Sequence, residues 1–246
     1  MKIVNCEQGT PEWREARRCK VTGTRLQDVM GTSLARVQLI AELIAEEVTE
    51  QTKTFRVTAE MERGTAEEPF AVRAFQEKTG KAVEAIGFCI SDEFDWVGYS
   101  PDGGWKEAED YEDFVEIKNP NSDTAVFYQL TNVVGMEKLG LGTYSRVTKD
   151  NPVANFVPSS KNPFLGVPAD YKWQVVHAFI VNEKLQRLHF IVHDARVVDE
   201  SKRVYVVVVE RNNEILQDAI REAREALIEF RADWLGWKEA IYPSNF

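Results

Sequence analysis

The pattern of hydrophobic and polar residues, together with capping residues, predicts seven helices, of which 125–139 is poorly patterned. Capping residues fix several boundaries, because Thr10 and Pro11 are typical of the N-cap and first turn of a helix. Thr22 or Thr24 is expected to cap the second helix, and Gly80 to end the fourth. The predicted helices cover residues 10–18, 25–30, 33–49, 58–79, 125–139, 170–182 and 213–237.

Apolar stripes on three of these helices mark the faces that are expected in the core. Gly64 interrupts the fourth helix, and a glycine inside a helix indicates a close approach of another group. The expected core positions are Leu34, Val37, Ile40, Leu43, Ile44 and Val48 in the third helix, Phe70, Ala71, Ala74 and Phe75 in the fourth, and Ile215, Leu216, Ala219, Ile220, Ala223, Leu227 and Phe230 in the last.

Short runs of apolar and β-branched residues between turn residues predict five strands, the first three arranged as a β-meander. The order of helices and strands predicts an α/β fold with one mixed sheet and helices on both of its faces. No linker is visible, so residues 1–246 are expected to form a single domain. The predicted strands cover residues 82–90, 94–100, 114–118, 188–192 and 204–210.

The stretch from Ser100 to Lys118 combines residues with catalytic potential. Glu116 and Lys118 lie on one face of an extended strand, because side chains alternate along it. Asp102 ends the preceding strand and can approach that face. Carboxylates supply the oxygen ligands that Mg²⁺ prefers, and a lysine can orient water or stabilise charge on a phosphate. The stretch predicts a magnesium-dependent phosphodiester hydrolase.

A structural alternative remains open for this stretch taken alone. Acidic-x-Lys triplets also occur at residues 170–172 and 200–202, although only Glu116–Lys118 follows an aspartate in a Pro-Asp-Gly turn. On the alternative interpretation Asp102 is a turn residue, and Glu116 and Lys118 belong to a solvated strand face.

The charge of the chain limits the kinds of nucleic-acid binding that it can support. A formal net charge of −10 argues against simple nucleic-acid binding, which usually needs a basic surface. An acidic nuclease remains possible if its basic residues line one groove. The densest basic cluster consists of Arg14, Arg17, Arg18, Lys20 and Arg25, and such clusters are more often a solvated helix face.

Other residue patterns exclude several classes of site. Cys6, Cys19 and Cys89 are widely separated, which predicts a reducing, cytoplasmic compartment and no cysteine-ligated metal. Neither a secretory signal nor a membrane-spanning run is visible. The three histidines lack the spacing of zinc hydrolases and are expected to be structural. No phosphate-binding loop, dinucleotide fingerprint or nucleophile elbow is present.

Five short motifs follow one another over most of the chain. They are Trp13 with Arg17 and Val21-Thr22-Gly23-Thr24, then Arg63-Gly64-Thr65-Ala66-Glu67-Glu68, Ser100-Pro101-Asp102-Gly103, Glu116-Ile117-Lys118 and Tyr171-Lys172-Trp173-Gln174. In this order they resemble the lambda-exonuclease (YqaJ-type viral recombinase) family of the PD-(D/E)xK nuclease superfamily. The resemblance implies a restriction-endonuclease-like core.

The resemblance also implies a metal site. Asp102, Glu116 and the carbonyl of Ile117 match the family's metal-binding positions. Glu68 on the upstream helix would join them, and it is preferred to Glu67 because of its spacing from the motif glycine. The family implies Mg²⁺, with two ions expected and Mn²⁺ as a substitute.

Further roles follow from the same resemblance. Lys118 would position the attacking water, and Gln174 would lie beside the site on its helix. Arg17, Thr24 and Ser100 match the positions that hold a 5′-terminal phosphate. This assignment suits their chemistry, because arginine grips phosphate with a bidentate fork.

The family resemblance implies an ATP-independent 5′-to-3′ exonuclease that degrades one strand of linear duplex DNA to mononucleotides. It further implies a homotrimeric ring and a single-strand annealing protein as partner, with the 3′ overhang used in recombination in a bacterial or phage-infected cell. Two alternatives remain: a restriction-like or repair endonuclease, and a non-catalytic module that binds DNA ends.

Two segments depart from the family pattern. The segment between Asp102 and Glu116 is long and acidic, which predicts an outward-pointing loop because it would repel DNA. Residues 140–169 are rich in glycine, proline, asparagine and serine, and such a long loop is typically functional or mobile.

Overall fold

The computed structural model describes residues 1–52, 58–144, 156–158 and 163–243, in which it places seven α-helices and nine strands. The helices are α1 (Pro11–Arg17), α2 (Leu26–Val29), α3 (Ser33–Thr49), α4 (Ala59–Thr79), α5 (Ser122–Leu130), α6 (Lys172–Val181) and α7 (Glu214–Ile241). The strands are β1 (Lys2–Val4), β2 (Phe88–Ile90), β3 (Gly98–Tyr99), β4 (Gly103–Lys106), β5 (Tyr111–Lys118), β6 (Gly142–Tyr144), β7 (Phe156–Pro158), β8 (Arg187–His193) and β9 (Val204–Glu210).

Local capping explains most of the helix boundaries. The Thr10 side chain accepts the capping hydrogen bond of α1, as predicted. Gly80 ends α4 with a φ of 71°, a left-handed conformation that glycine adopts without steric cost. The predicted cap of α2 is wrong: Arg25 precedes that helix without a side-chain capping bond, so neither Thr22 nor Thr24 caps it.

The strands form two main sheets, so the predicted single sheet with a meander is wrong. The first sheet has the order β1-β2-β3, and the second has the order β4-β5-β8-β9. The chain crosses from one to the other between Tyr99 and Gly103, where Pro101 lacks the N–H needed to continue a ladder. Residues 103–106 form β4 although they were expected in a loop, and β1 was not predicted.

Strand β5 lies in the interior of the second sheet and carries the candidate catalytic residues. It is antiparallel to β4 and parallel to β8. Val115 and Ile117 share a core with Phe75 of α4. Phe114, on the other face of the strand, belongs to a larger core with Phe179 of α6 and residues of α7. The predicted α/β fold, with a mixed sheet and helices on both faces, is confirmed for this sheet.

The predicted apolar stripes are only partly buried. In α3, Ile40, Leu43 and Ile44 are buried, whereas Leu34 is 66% exposed. Spacing identifies the apolar face of a helix but not how much of that face another element covers. The predicted core positions that are exposed, and therefore wrong, are Leu34, Val37, Val48, Phe70 and Ile215.

The middle of the chain departs from its predicted secondary structure. The predicted helix 125–139 begins earlier, at Ser122, and α5 gives way after Leu130 to a π-helix over Thr131–Gly135. Within the predicted loop 140–169, β6 and β7 pair antiparallel. Residues 145–155 and 159–162 of that loop lie outside the described residues.

Each histidine is hydrogen-bonded within the chain, as the structural prediction requires. His177 bonds a backbone carbonyl, His189 bonds Asp113 and His193 bonds Asn119. The three cysteines are free thiols, of which only Cys89 is buried. No helix in the described part of the chain has the length and apolar character needed to cross a membrane.

Candidate active site

The pairing of β4 with β5 brings Asp102 beside the end of β5. Gly103 lies opposite Val115 in this ladder, and the Asp102 N–H donates to the Val115 carbonyl at 3.0 Å. The Asp102 carboxylate then turns towards Ile117, whose backbone N–H donates to Oδ2 at 2.6 Å. Asp102 is thus fixed within the sheet, next to the strand that carries Glu116.

Glu116 is the centre of the cluster and is only 2% exposed. Its Oε1 accepts hydrogen bonds from Lys118 Nζ at 2.6 Å and from Gln174 Nε2 at 2.6 Å. Its Oε2 accepts a hydrogen bond from the Tyr99 hydroxyl. The alternation of side chains therefore places Glu116 and Lys118 together, and α6 adds Gln174 from above the same face.

Burial and mutual repulsion shape the electrostatics of this cluster. Burial raises the pKa of Asp102 well above its usual range, and the nearby Glu116 carboxylate raises it further. Burial alone would lower the pKa of Lys118, but Glu116 and Asp102 raise it above its ordinary value. Lys118 therefore remains a cation at neutral pH and interacts favourably with the carboxylates of both Glu116 and Asp102.

The two consecutive glutamates of α4 have different surroundings. Burial raises the pKa of Glu68, which also interacts electrostatically with Lys118 and Glu116. Glu67 instead contacts the Arg63 guanidinium at 3.5 Å, one helical turn earlier. The pKa of Glu68 therefore responds to the charges on β5, whereas Glu67 is paired within α4.

A second group of polar residues lies next to this cluster. The Ser100 hydroxyl accepts hydrogen bonds from Trp13 Nε1 at 2.8 Å and from Arg17 at 3.3 Å. The Arg17 guanidinium lies 4.1 Å from the centre of the Trp13 ring and contacts the Thr22 hydroxyl at 3.5 Å. Arg17, Thr22 and Thr24 line a cavity of about 480 Å³.

Burial, together with the nearby charge of Arg25, lowers the pKa of Arg17 to about 10. The guanidinium is still a cation at neutral pH. Among the described residues no carboxylate forms an ion pair with it, whereas Arg18 pairs with Glu15 and Arg25 with Glu46. The basic cluster in the sequence is therefore not one continuous basic face. Arg14, Arg17 and Arg25 all line the cavity. Of these three, Arg17 is the one that contacts the Ser100 and Thr22 hydroxyls.

One short segment connects both groups of residues. The carbonyl of Gly98 is held by His177 at 2.8 Å, the Tyr99 hydroxyl holds Glu116, the Ser100 hydroxyl bonds Trp13, and Asp102 bonds Ile117. Sequence reasoning missed the roles of Tyr99 and Thr22. The sequence signal that could have identified them is their position: Tyr99 directly precedes the motif that begins at Ser100, and Thr22 directly precedes Gly23 in the first motif.

Comparisons with known proteins identify the family and the fold of the chain. The family model described as YqaJ-like viral recombinase domain matches residues 12–184. No curated protein sequence matches the chain significantly. A phage-related exonuclease from Haemophilus somnus 129PT has a TM-score of 0.57 at 14% identity, over 88% of this chain and 95% of that one, and is similar in fold.

An alkaline exonuclease (LHK-Exo) from Laribacter hongkongensis is more similar in sequence. Its crystal structure is 25% identical with a TM-score of 0.68, over 94% of this chain and 96% of that one. The crystal structure of LHK-Exo in complex with dAMP is also 25% identical, with a TM-score of 0.66 over 94% and 98% of the two chains. Because the family model matches most of the length of this chain, the chain belongs to the YqaJ-like viral recombinase domain family.

Proposed function

We propose that the protein is a metal-dependent deoxyribonuclease that degrades one strand of linear duplex DNA from its 5′ end. The observation that carries this proposal is the convergence of four side chains on the end of β5. Lys118 and Gln174 both donate to Glu116, and Asp102 accepts from the backbone N–H of Ile117, the residue between Glu116 and Lys118. Family membership and the likeness to an alkaline exonuclease over 94% of the chain support it.

The fold that we propose is a restriction-endonuclease-like core within a single exonuclease domain. The mixed order β4-β5-β8-β9, with α4 on one face and α6 on the other, supports this assignment. Helix α7 packs into the same core as α6 and is part of that domain.

The donor set fits a magnesium site. Glu116 is buried and Asp102 is half-buried. The negative charges of Asp102, Glu116 and Glu68 repel one another. A divalent cation would offset this repulsion. Within the described residues no group of three or more acidic, histidine or cysteine side chains is arranged to hold a metal ion by itself. We therefore assign Asp102, Glu116, Glu68 and the Ile117 carbonyl as partial ligands, since Mg²⁺ commonly keeps several waters.

When bound, Mg²⁺ would polarise the phosphate and lower the pKa of water, with Mn²⁺ as a substitute and two ions expected from the family. Lys118 is the protein group best placed to orient a water molecule, because its ammonium is held at the centre of the site by Glu116. The Gln174 amide holds the same Glu116 oxygen from α6 and so fixes the carboxylate against rotation.

Arg17, Ser100 and Thr24 form the proposed site for the 5′-terminal phosphate. Arg17 brings a cation into a cavity to which Thr22 and Thr24 contribute hydroxyl groups, and a phosphate binds well to a cation beside hydroxyls. The cavity also contains the carboxylates of Glu42 and Glu46, which form ion pairs with Arg25. Ser100 is two residues from Asp102, so this site lies close to the catalytic cluster. That closeness supports cleavage near a strand end and release of mononucleotides.

Assembly and partners are proposed from the family. A homotrimeric ring around DNA would let a chain of net charge −10 hold its substrate without a broad basic surface. The remaining 3′ strand would pass to a single-strand annealing protein in recombination. A viral recombinase family supports a bacterial or phage-infected bacterial cytoplasm as the place of action.

The test is digestion of DNA with Mg²⁺, using label on either terminus and 5′-phosphorylated or 5′-hydroxyl ends. We expect mononucleotides from 5′-phosphorylated linear duplex, and no attack on closed circles. Cleavage of circles would favour a restriction-like or repair endonuclease. Binding to DNA ends without cleavage under any divalent metal would favour a non-catalytic module.

A further inference from the structure

Asn119 follows Lys118 directly and connects three elements of the fold. Its side-chain amide donates from Nδ2 to the Gly64 carbonyl of α4 at 2.9 Å. Its Oδ1 lies 3.0 Å from Nδ1 of His193, at the end of β8. Its backbone carbonyl accepts a hydrogen bond from Arg63 at 3.1 Å. Helix α4 is thereby attached to the turn immediately after β5.

The orientation of this amide follows from its partners. A carbonyl can only accept, so the group that faces Gly64 must be the donating Nδ2 of Asn119. Oδ1 then faces His193, and the imidazole donates to it from Nδ1. His193 is only 2% exposed, so its ring has little freedom to turn away. The strand β8 thus holds the Asn119 side chain in the orientation that binds α4.

The attachment point on α4 lies one helical turn before Glu68. Residues four apart share one face of a helix, so the segment held by Asn119 presents Glu68 on the same side. Glu68 interacts electrostatically with Lys118 and Glu116. The position of Glu68 relative to β5 therefore depends on where the Gly64 carbonyl is held.

We propose that Asn119 is a positioning residue, which holds α4 through Gly64 so that the Glu68 carboxylate faces Glu116 and Lys118. The proposal rests on the proposed function, because it concerns the metal site assigned there. Outer partners of metal ligands typically change metal affinity by about 10- to 100-fold when they are removed.

The test measures Mn²⁺ binding to the full chain by titration calorimetry without DNA, alongside kcat and KM on linear duplex. Asn119→Ala is expected to weaken Mn²⁺ binding about tenfold and to lower kcat, with KM for DNA unchanged. Asn119→Asp keeps the shape but replaces the donor by an acceptor, and it is expected to act in the same direction. Asn121→Ala, which loses only a contact with Arg63, is the matched control.

A double-mutant cycle separates positioning from general loosening of the fold. If Asn119 acts through Glu68, then Asn119→Ala has no further effect on Mn²⁺ binding in a Glu68→Gln background. Additive effects, or a folded Asn119→Ala protein with normal Mn²⁺ affinity, would overturn the proposal. Failure of the proposed function is distinguishable, because the unmodified protein would then neither bind Mn²⁺ nor cleave DNA.

Discussion

The Tyr99 hydroxyl donates a hydrogen bond to Oε2 of Glu116, and both side chains are buried. Burial raises the pKa of the phenol well above its usual range, and the adjacent Glu116 carboxylate raises it further. Tyr99 therefore remains protonated, and so a donor, at neutral pH. Tyr99 thus holds Oε2 of Glu116, whereas Lys118 holds the other carboxylate oxygen, Oε1.

Tyr99→Phe is expected to leave a buried carboxylate oxygen without its donor. Such a loss typically costs about 1–3 kcal/mol in the free energy of unfolding. We expect the free energy of unfolding, measured by urea denaturation, to decrease. The initial rate of DNA digestion should decrease as well. Tyr111→Phe is the control, because the Tyr111 hydroxyl bonds Glu84 in an exposed position. Equal stability losses in the two variants would contradict the role given to Tyr99.

Lys118→Ala is expected to abolish most cleavage while the fold is retained. The loss of one preorganised charge at a reacting phosphate commonly lowers kcat by about 100- to 1,000-fold. Lys202→Ala removes the lysine of another acidic-x-Lys triplet whose side chain is 75% exposed, and its rate should be unchanged. Circular dichroism would confirm folding of both variants. A Lys118→Ala protein with a normal rate would exclude this lysine from the site.

Arg17→Gln is expected to remove the preference for a phosphorylated end. Charge-assisted hydrogen bonds contribute about 1.5–3 kcal/mol, which corresponds to a change of roughly 10- to 100-fold in the ratio of rates. The measurement compares digestion of 5′-phosphorylated and 5′-hydroxyl duplexes by each variant. Arg18→Gln should keep the ratio, because Arg18 pairs with Glu15 and does not line the cavity. An unchanged ratio in Arg17→Gln would place the phosphate elsewhere.

His177 should make stability depend on pH in the acidic range. Burial lowers its pKa to about 4, although the hydrogen bond to the Gly98 carbonyl partly opposes that change. The unfolded chain therefore binds more protons than the folded one between pH 6.5 and about 4. Stability is fully present above this window and falls by up to about 3 kcal/mol as the pH decreases through it.

The measurement for His177 is urea denaturation at a series of pH values, for the unmodified protein and for His177→Gln. The free energy of unfolding should decrease less steeply in the variant, because a neutral amide takes up no proton. Parallel curves for the two proteins over this window would show that His177 is not the group responsible.

Glycine substitutions test the packing of α4 and of the segment that precedes α2. A Cβ at Gly64 would meet none of the described residues within 4 Å, whereas one at Gly23 would lie 3.2 Å from the Tyr99 ring. Gly64→Ala is expected to raise the free energy of unfolding by about 0.5–1 kcal/mol, because glycine is unfavourable inside a helix. Gly23→Ala should lower it. Thermal unfolding measures both, and a destabilised Gly64→Ala protein would indicate a contact outside the described residues.

Local signals in the sequence were sufficient for α1, α4, α6 and α7 and for the face shared by Glu116 and Lys118. Thr10, Gly80 and strand alternation act over a few residues, so they can be interpreted without the rest of the fold. Long-range pairing was not predictable. The partner of β1 is some 85 residues away in β2, and spacing along the chain contains no information about it.

The same limit applies to the site. Asp102, Glu116 and Lys118 could be grouped from a short stretch, but the contacts of Tyr99 and Asn119 depend on how distant elements meet. The exposure of Leu34 and Phe70 has the same cause, because a helical pattern does not specify which neighbour covers it. The sequence predicts a close approach of another group at Gly64. The group that approaches is the Asn119 side chain, which donates a hydrogen bond to the Gly64 carbonyl.

The acidic hairpin between β4 and β5 offers a place to attach a label or a surface tether to the protein. Its tip is held by the ion pairs Glu107–Arg187 and Asp110–Lys184, at the opposite end of β5 from Lys118. The eight residues of β5 extend over roughly 25 Å at the usual rise per residue. A fluorophore or surface tether attached at Glu109 would therefore lie far from the residues proposed to cleave DNA. The hairpin is thus a suitable attachment site for single-molecule measurements on the immobilised enzyme.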